Sequence, residues 1–177
     1  MRCVERKLIV FSGPPCSGKT TLAESLCAET GFTYLQMDEI RRRLIPDSDH
    51  RREHREIAYR AMHFVAELLL GHGQSVVVDA TYRRRRDREE IAKIADRTRA
   101  ALFFIQCAVP FEVAALRFRE RKNQHPAVDL TEQRVMRLAR EFPYSSEGLK
   151  LDTTQEIQSC LKQIKRYVFS QEIEVKG

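Results

Sequence analysis

The stretch from Leu8 to Leu26, LIVFSGPPCSGKTTLAESL, constrains this chain more than any other. An apolar, β-branched run (Leu8, Ile9, Val10, Phe11) meets Gly13-Pro14-Pro15-Cys16-Ser17-Gly18-Lys19-Thr20, and a helical pattern with Leu22 and Leu26 one turn apart follows. The pattern is G-x-x-x-x-G-K-[ST] in a strand-loop-helix setting. Glycines let successive backbone N–H groups curl around phosphate oxygens, the helix N-terminus adds positive potential, and Lys19 reaches the β- and γ-phosphates. Thr20 is placed to ligate Mg²⁺. Residues Gly13 to Thr21, including Thr21 itself, are therefore the expected nucleotide-binding loop, with ATP and Mg²⁺ as cofactors.

At 177 residues the chain reads as a single domain over 1–177. Apolar content of 42% and charged content of 32% suit a globular protein, and no apolar stretch approaches the ~20 residues of a membrane span. The N-terminal MRCVERKLIVF runs straight into the first strand without a signal peptide's pattern, so the expected location is cytoplasmic. Five scattered cysteines without C-x-x-C spacing speak for reduced thiols rather than a disulfide framework or a zinc site. Cys16 inside the loop reads as a tolerated residue rather than a redox switch. A net charge of +6 does not by itself decide between nucleic acid and a phosphate-handling site.

Further along, Gly31 is the expected C-cap of the first helix, and Phe32 to Met37 a short strand delivering Asp38 at its carboxyl end, where open α/β sheets bind ligands. A helical Asp38-Glu39-Ile40-Arg41 places Asp38 and Arg41 on one face, and Pro46-Asp47-Ser48-Asp49 breaks it. An amphipathic helix is expected over Arg51 to Leu70, with Ile57, Ala61, Val65, Leu68 and Leu69 as its apolar marks. His50 and His54, four apart with no third ligand, read as ordinary histidines. Ser75 to Asp79 (SVVVD) is a buried parallel strand ending in an acid suited to Mg²⁺ or its water shell. Thr81 is the expected cap of the next helix. Its Arg83–Arg86 run reads either as a solvated run offset by nearby acids or as carrying an arginine that faces phosphate.

Ala101 to Ala108 is a fourth buried strand, and a helix from Pro110 carries Arg117 and Arg121 on one face, where like charges repel unless an anion lies between them. The looser Lys122–Asp129 stretch with Pro126, followed by a helix bearing Val135, Leu138 and Ala139, reads as a helical lid over about 115–145. Leu149 to Asp152 is a fifth strand. Thr153 or Thr154 would cap a last helix with Ile157, Leu161, Ile164 and Val168 buried, and the tail beyond Ser170 reads as frayed. Alternating strands and helices imply an α/β fold: three α/β/α layers around a five-stranded parallel sheet.

From about Lys7 to Val168 the sequence resembles the small P-loop kinases of the "predicted kinase" group, and is similar to the kinase module of polynucleotide kinases and, more distantly, to chloramphenicol phosphotransferase and gluconate kinase. The likeness rests on GPPCSGKTTLA, on Asp38-x-x-Arg41, on VVVDATY with Arg88 nine residues after Asp79, and on VPFEVAALRFRER with Arg117 and Arg121. It implies Asp38 as general base toward an acceptor hydroxyl, Arg41 and Arg121 on the transferring phosphate, Arg117 at the nucleotide, Asp79 near acceptor or metal, and Arg88 toward substrate. The expected reaction is transfer of the γ-phosphate of ATP to a hydroxyl. The segment Asn123 to Gly148 matches no acceptor signature. A small molecule is favoured over a polynucleotide 5′-hydroxyl because Tyr82 is the one aromatic beside the basic run. A nucleotide-binding ATPase or regulatory module without an acceptor is the alternative from another class.

Overall fold

Five short strands, each an apolar run, pair side by side in one parallel sheet of order β2-β3-β1-β4-β5. A computed structural model describes residues 5–46, 51–121 and 130–170. The elements run β1 (Lys7–Ser12), α1 (Lys19–Thr30), β2 (Thr33–Gln36), α2 (Met37–Leu44), α3 (Arg52–Gly71) and β3 (Val76–Asp79). They continue with α4 (Arg85–Thr98), β4 (Ala101–Ala108), α5 (Phe111–Glu120), α6 (Glu132–Arg140), β5 (Leu149–Asp152) and α7 (Ile157–Phe169). Parallel strands need crossovers, and the helices supply them on both faces.

The pleat divides the core. Leu8 and Val10 of β1, with Val76 and Val78 of β3, pack on one face against Ala58, Met62, Ala66 and Leu70 of α3 and Ile91 of α4. Ile9, Phe11, Val77 and Ile105 point the other way, against Leu22 and Leu26 of α1 and Leu161, Ile164 and Val168 of α7. This is the expected three-layer α/β/α arrangement. A third, smaller cluster of Val109, Ala114, Phe118, Val135 and Ala139 joins α5 to α6.

Several local expectations are corrected. The buried stripe of α3 is Ala58, Tyr59, Met62, His63, Ala66 and Leu70, while Ile57, Val65 and Leu68 are exposed. Small Ala58 and Ala66 let the helix approach the sheet, and the polar ends of Tyr59 and His63 find partners in the turn after β3. Thr81 does not cap α4, whose N-cap is Arg84. Neither Thr153 nor Thr154 caps α7, whose N-cap is Glu156; the Asp152 carboxylate instead accepts from the Thr154 N–H and hydroxyl at 2.9 and 2.7 Å. Ile157 is exposed. Cys3, the Asp47-Ser48-Asp49 break, His50, the 122–129 stretch with Pro126 and the tail beyond Ser170 lie outside the described residues.

Candidate active site

All five strands point their carboxyl ends the same way, so β1, β2 and β3 deliver the phosphate loop, Asp38 and Asp79 to one edge of the sheet. There a cleft of about 720 Å³ is lined by loop residues Pro14 to Thr21, by Gln36 and Asp38, by Asp79 and Thr81, and by residues at and after α5 and α6, among them Arg121, Arg137 and Phe142. The loop's shape follows from its residues. Gly13 has φ 149°, and a Cβ there would lie 2.7 Å from the Cys107 carbonyl. Gly18 at φ 85° turns the chain into α1, which starts without a side-chain cap, so its first N–H groups are left for an anion.

Lys19 extends along the loop and donates to the Pro14 carbonyl at 2.7 Å and to Ser17 Oγ at 3.3 Å. Behind it, Thr20 Oγ1 donates to Asp79 Oδ2 at 2.6 Å, Tyr34 Oη donates to the same oxygen at 2.9 Å, and Gln36 Nε2 donates to Thr20 Oγ1 at 3.2 Å. Burial, reinforced by the Asp79 carboxylate, pushes the Tyr34 hydroxyl far above the ordinary phenol range, so it stays a donor. The hydroxyl of Thr20 and the carboxylate of Asp79 form a hard oxygen pair of the kind Mg²⁺ takes alongside phosphate oxygens and water. Among the described residues no group of three or more His, Cys, Asp or Glu gathers into a metal site.

Asp38 lines the cleft at the first turn of α2, its side chain 45% exposed. Arg41 does not line the cleft. Its side chain is 1% exposed, and its Nε lies 3.5 Å from Asp38 Oδ1, an ion pair one helical turn apart.

The Arg117 and Arg121 pair divides. Arg117 donates to the carbonyls of Cys16 and Thr153 at 3.4 and 2.5 Å, tying the phosphate loop to the turn after β5, while Arg121 lines the cleft. Backbone carbonyls thus take up the Arg117 guanidinium. Arg88 is also turned away: it donates to the carbonyls of Tyr82 and Arg83 at 2.7 and 3.1 Å and lines a separate cavity of about 320 Å³ with Ser12 and Gln106. Of the basic run, Arg84, Arg85 and Arg86 pair with Glu56, Glu89 and Glu90 at 3.3, 2.7 and 2.8 Å, and Arg83 alone lines the cleft. Burial raises the Cys16 thiol, with Lys19 partly opposing it, which fits a packed residue rather than a reactive thiolate.

Some lining residues escaped the sequence reading. Arg55 on α3 donates to Thr81 Oγ1 at 3.3 Å, and Arg134 and Arg137 enter from α6. Arg134 and Arg137 share a helix face at i,i+3, the same signal that singled out Arg117 and Arg121. Tyr34 and Gln36 alternate along β2 toward one face, a strand pattern that could have marked them. Arg55 carried no local signal.

The family model described as an AAA domain matches residues 8–144, well over half of the chain. An uncharacterized protein of Mycobacterium tuberculosis is 28% identical over 159 residues, covering 83% of this chain and 32% of that protein. The chain thus spans about a third of that relative's length. Among solved structures, a gluconokinase from Sinorhizobium meliloti superposes with a TM-score of 0.70 at 16% identity, over 95% of this chain and 97% of that one. The Mycobacterium tuberculosis APS kinase in complex with AMPPNP and APS superposes with a TM-score of 0.69 at 21% identity, over 90% and 95%. These structural likenesses speak for the fold, and the family match for descent: the chain belongs to the AAA domain family and carries a P-loop kinase-like fold.

Proposed function

We propose that this protein is an ATP-dependent kinase that transfers the γ-phosphate to the hydroxyl of a small molecule. The observation that carries the reading is the joining, in one cleft, of the phosphate loop, the exposed Asp38 carboxylate, and three arginines, Arg55, Arg121 and Arg137. Among the described residues, none of these three has a carboxylate within ion-pair distance, whereas Arg43, Arg52, Arg85, Arg86 and Arg97 on the surface each meet a glutamate. Cations left without acids in a cleft with low-dielectric walls favour an anionic occupant.

Phosphoryl transfer is mainly positioning and charge neutralisation. In this reading the N–H groups of residues 13–20 cradle the phosphates, and Lys19 leaves the Pro14 carbonyl for the β- and γ-oxygens. Arg121 and Arg137 approach the same charge from the lid. Asp38, held by Arg41, accepts the proton of the acceptor hydroxyl as its oxygen bonds to the γ-phosphorus. The bond from that phosphorus to the β–γ bridging oxygen breaks, and ADP leaves. Mg²⁺, when held by Thr20 and Asp79, would neutralise charge between the β- and γ-phosphates. The small-molecule preference is supported by the acids that offset Arg84, Arg85 and Arg86, which leave little of the basic run for a polynucleotide backbone.

The test is a transfer screen from γ-labelled ATP across sugars, nucleosides, polyols, phenicol-like drugs and 5′-hydroxyl oligonucleotides. Label on a small hydroxyl compound, dependent on Asp38, is the expected result. Label confined to oligonucleotide ends and suppressed by salt would replace the small-molecule reading; release of inorganic phosphate with no labelled acceptor would point to an ATPase.

A further inference from the structure

Among the described residues, six cationic side chains line the cleft (Lys19, Arg55, Arg83, Arg121, Arg134 and Arg137) against three carboxylates, Glu24, Asp38 and Asp79. They approach from two sides. Strand β1 lies between β3 and β4 in the sheet; the lid follows β4, so its arginines reach the phosphate loop from that flank. Arg55 and Arg83 come from α3 and the turn after β3, the flank that also holds Asp79 and, through β2 and α2, Asp38. A nucleotide on the phosphate loop would meet the loop and the arginines of the β4 flank, whereas Arg55 stands on the opposite flank.

Arg55 is part-buried and held in place: its Nη2 donates to Thr81 Oγ1, Tyr59 Oη lies 3.3 Å from the same oxygen, and the Thr81 carbonyl accepts the Gly13 N–H at 3.2 Å. The acid nearest in effect is Asp87 of α4, half-buried and shared with Arg84 and Arg86; its acidity, weakened by burial, is restored in part by these arginines and Arg55. Arg83 meets Glu141 at 3.8 Å with both side chains over 40% exposed, a pairing that holds it only weakly. Asp87, shared among three arginines, offsets Arg55 only in part, so a neutral alcohol beside Asp38 would leave the cleft's excess of cations, Arg55 among them, without an anion to meet it.

Resting on the kinase reading, we propose that the acceptor is a small molecule carrying an oxyanion of its own, a phosphate or a carboxylate, which Arg55 holds with help from Arg83 while Asp38 takes the proton of its hydroxyl. Arginine's planar fork matches either oxyanion. Because Thr81 touches both Arg55 and Gly13, the oxyanion site and the phosphate loop share one rigid support.

Two measurements test this. In the first, protein saturated with Mg²⁺ and AMPPNP is titrated with inorganic phosphate and separately with acetate. Saturable phosphate or acetate binding, weakened about 10- to 100-fold in Arg55→Gln and partly rescued in Arg55→Lys, with AMPPNP affinity and thermal midpoint unchanged, is expected. AMPPNP that binds without any Arg55-dependent oxyanion binding overturns the inference and leaves the kinase reading standing; failure of AMPPNP to bind the wild type sinks the kinase reading itself. In the second, γ-label transfer is compared for the matched pairs glycerol 3-phosphate with glycerol and gluconate with glucose. The anionic member should be preferred, the favoured pair telling phosphate from carboxylate, and Arg55→Gln should erase the preference by raising KM with kcat largely kept. Equal use of the neutral member by the wild type contradicts it.

Discussion

On the β3 side of the phosphate loop, Thr20, Asp79, Tyr34 and Gln36 are joined by hydrogen bonds of 2.6 to 3.2 Å, and the turn after β3 is pinned from α3 by Tyr59 and His63. On the other side, α5 and α6 pack chiefly on each other around a five-residue apolar cluster, and Arg121 and Arg137 extend from them into the cleft without carboxylate partners among the described residues. Hydrogen-bonded, buried groups hold one geometry, whereas a helix pair with its own small core can shift as a unit. If the proposed reaction holds, the β3 flank would keep its geometry on binding while α5 and α6 adjust around the nucleotide.

Asp38→Asn keeps shape and removes the proposed base, so kcat should fall about 10²- to 10⁴-fold in a steady-state transfer assay while AMPPNP affinity is unchanged. An equal loss of nucleotide binding would place Asp38 with the nucleotide instead.

The next effect concerns the pin behind that flank. His63 Nε2 shares a 3.1 Å hydrogen bond with Tyr82 Oη, and the imidazole stacks on that ring at an interplanar angle of 13°. Burial lowers its pKa from 6.5 to about 4. The folded protein therefore keeps it neutral where the unfolded chain already binds a proton, so its stability contribution is intact above pH 6.5 and is lost as pH falls toward 4. The full loss is about 3 kcal/mol. Thermal midpoints measured from pH 7.5 to 4 should fall accordingly, and His63→Gln should flatten the slope. An unchanged slope in that variant would assign the acid sensitivity elsewhere.

Tyr34→Phe removes one of two hydroxyl donors to Asp79 and should cost about 1 kcal/mol by denaturant titration. AMPPNP with Mg²⁺ should slow hydrogen exchange in α5 and α6 and leave residues 76–82, nearly all buried, almost unaltered. Equal protection on both sides would mean the flanks do not differ in mobility.

Much of this was legible because buried runs and one motif dominate. The β1-loop-α1 unit, β3, β4 and the order of elements follow from apolar continuity and the Gly-x₄-Gly-Lys-Thr spacing, which hold whatever surrounds them. The face of α3 was misread because the helix carries two apolar stripes. Its more hydrophobic one, with Ile57, Val65 and Leu68, faces outward, while Ala58, Tyr59 and His63 turn inward, where size and hydrogen bonding outweigh hydrophobicity. The spacing of Arg41 and Arg117 does not tell which groups their guanidiniums meet in the folded chain, Asp38 for one and backbone carbonyls for the other; only packing reveals that. Arg55 was not legible, because its approach to Thr81 depends on how α3 crosses the turn after β3.

The most direct measurement is calorimetric titration of ATP with Mg²⁺ into the wild type and Lys19→Ala. Lys19 is exchanging the Pro14 carbonyl for phosphate in this account, so its charge-assisted bonds should be worth about 2 to 3 kcal/mol, a loss of roughly 30- to 150-fold in affinity, with the ligand-free thermal midpoint unchanged. Equal affinity in the two proteins would contradict the assignment of the loop as the nucleotide site.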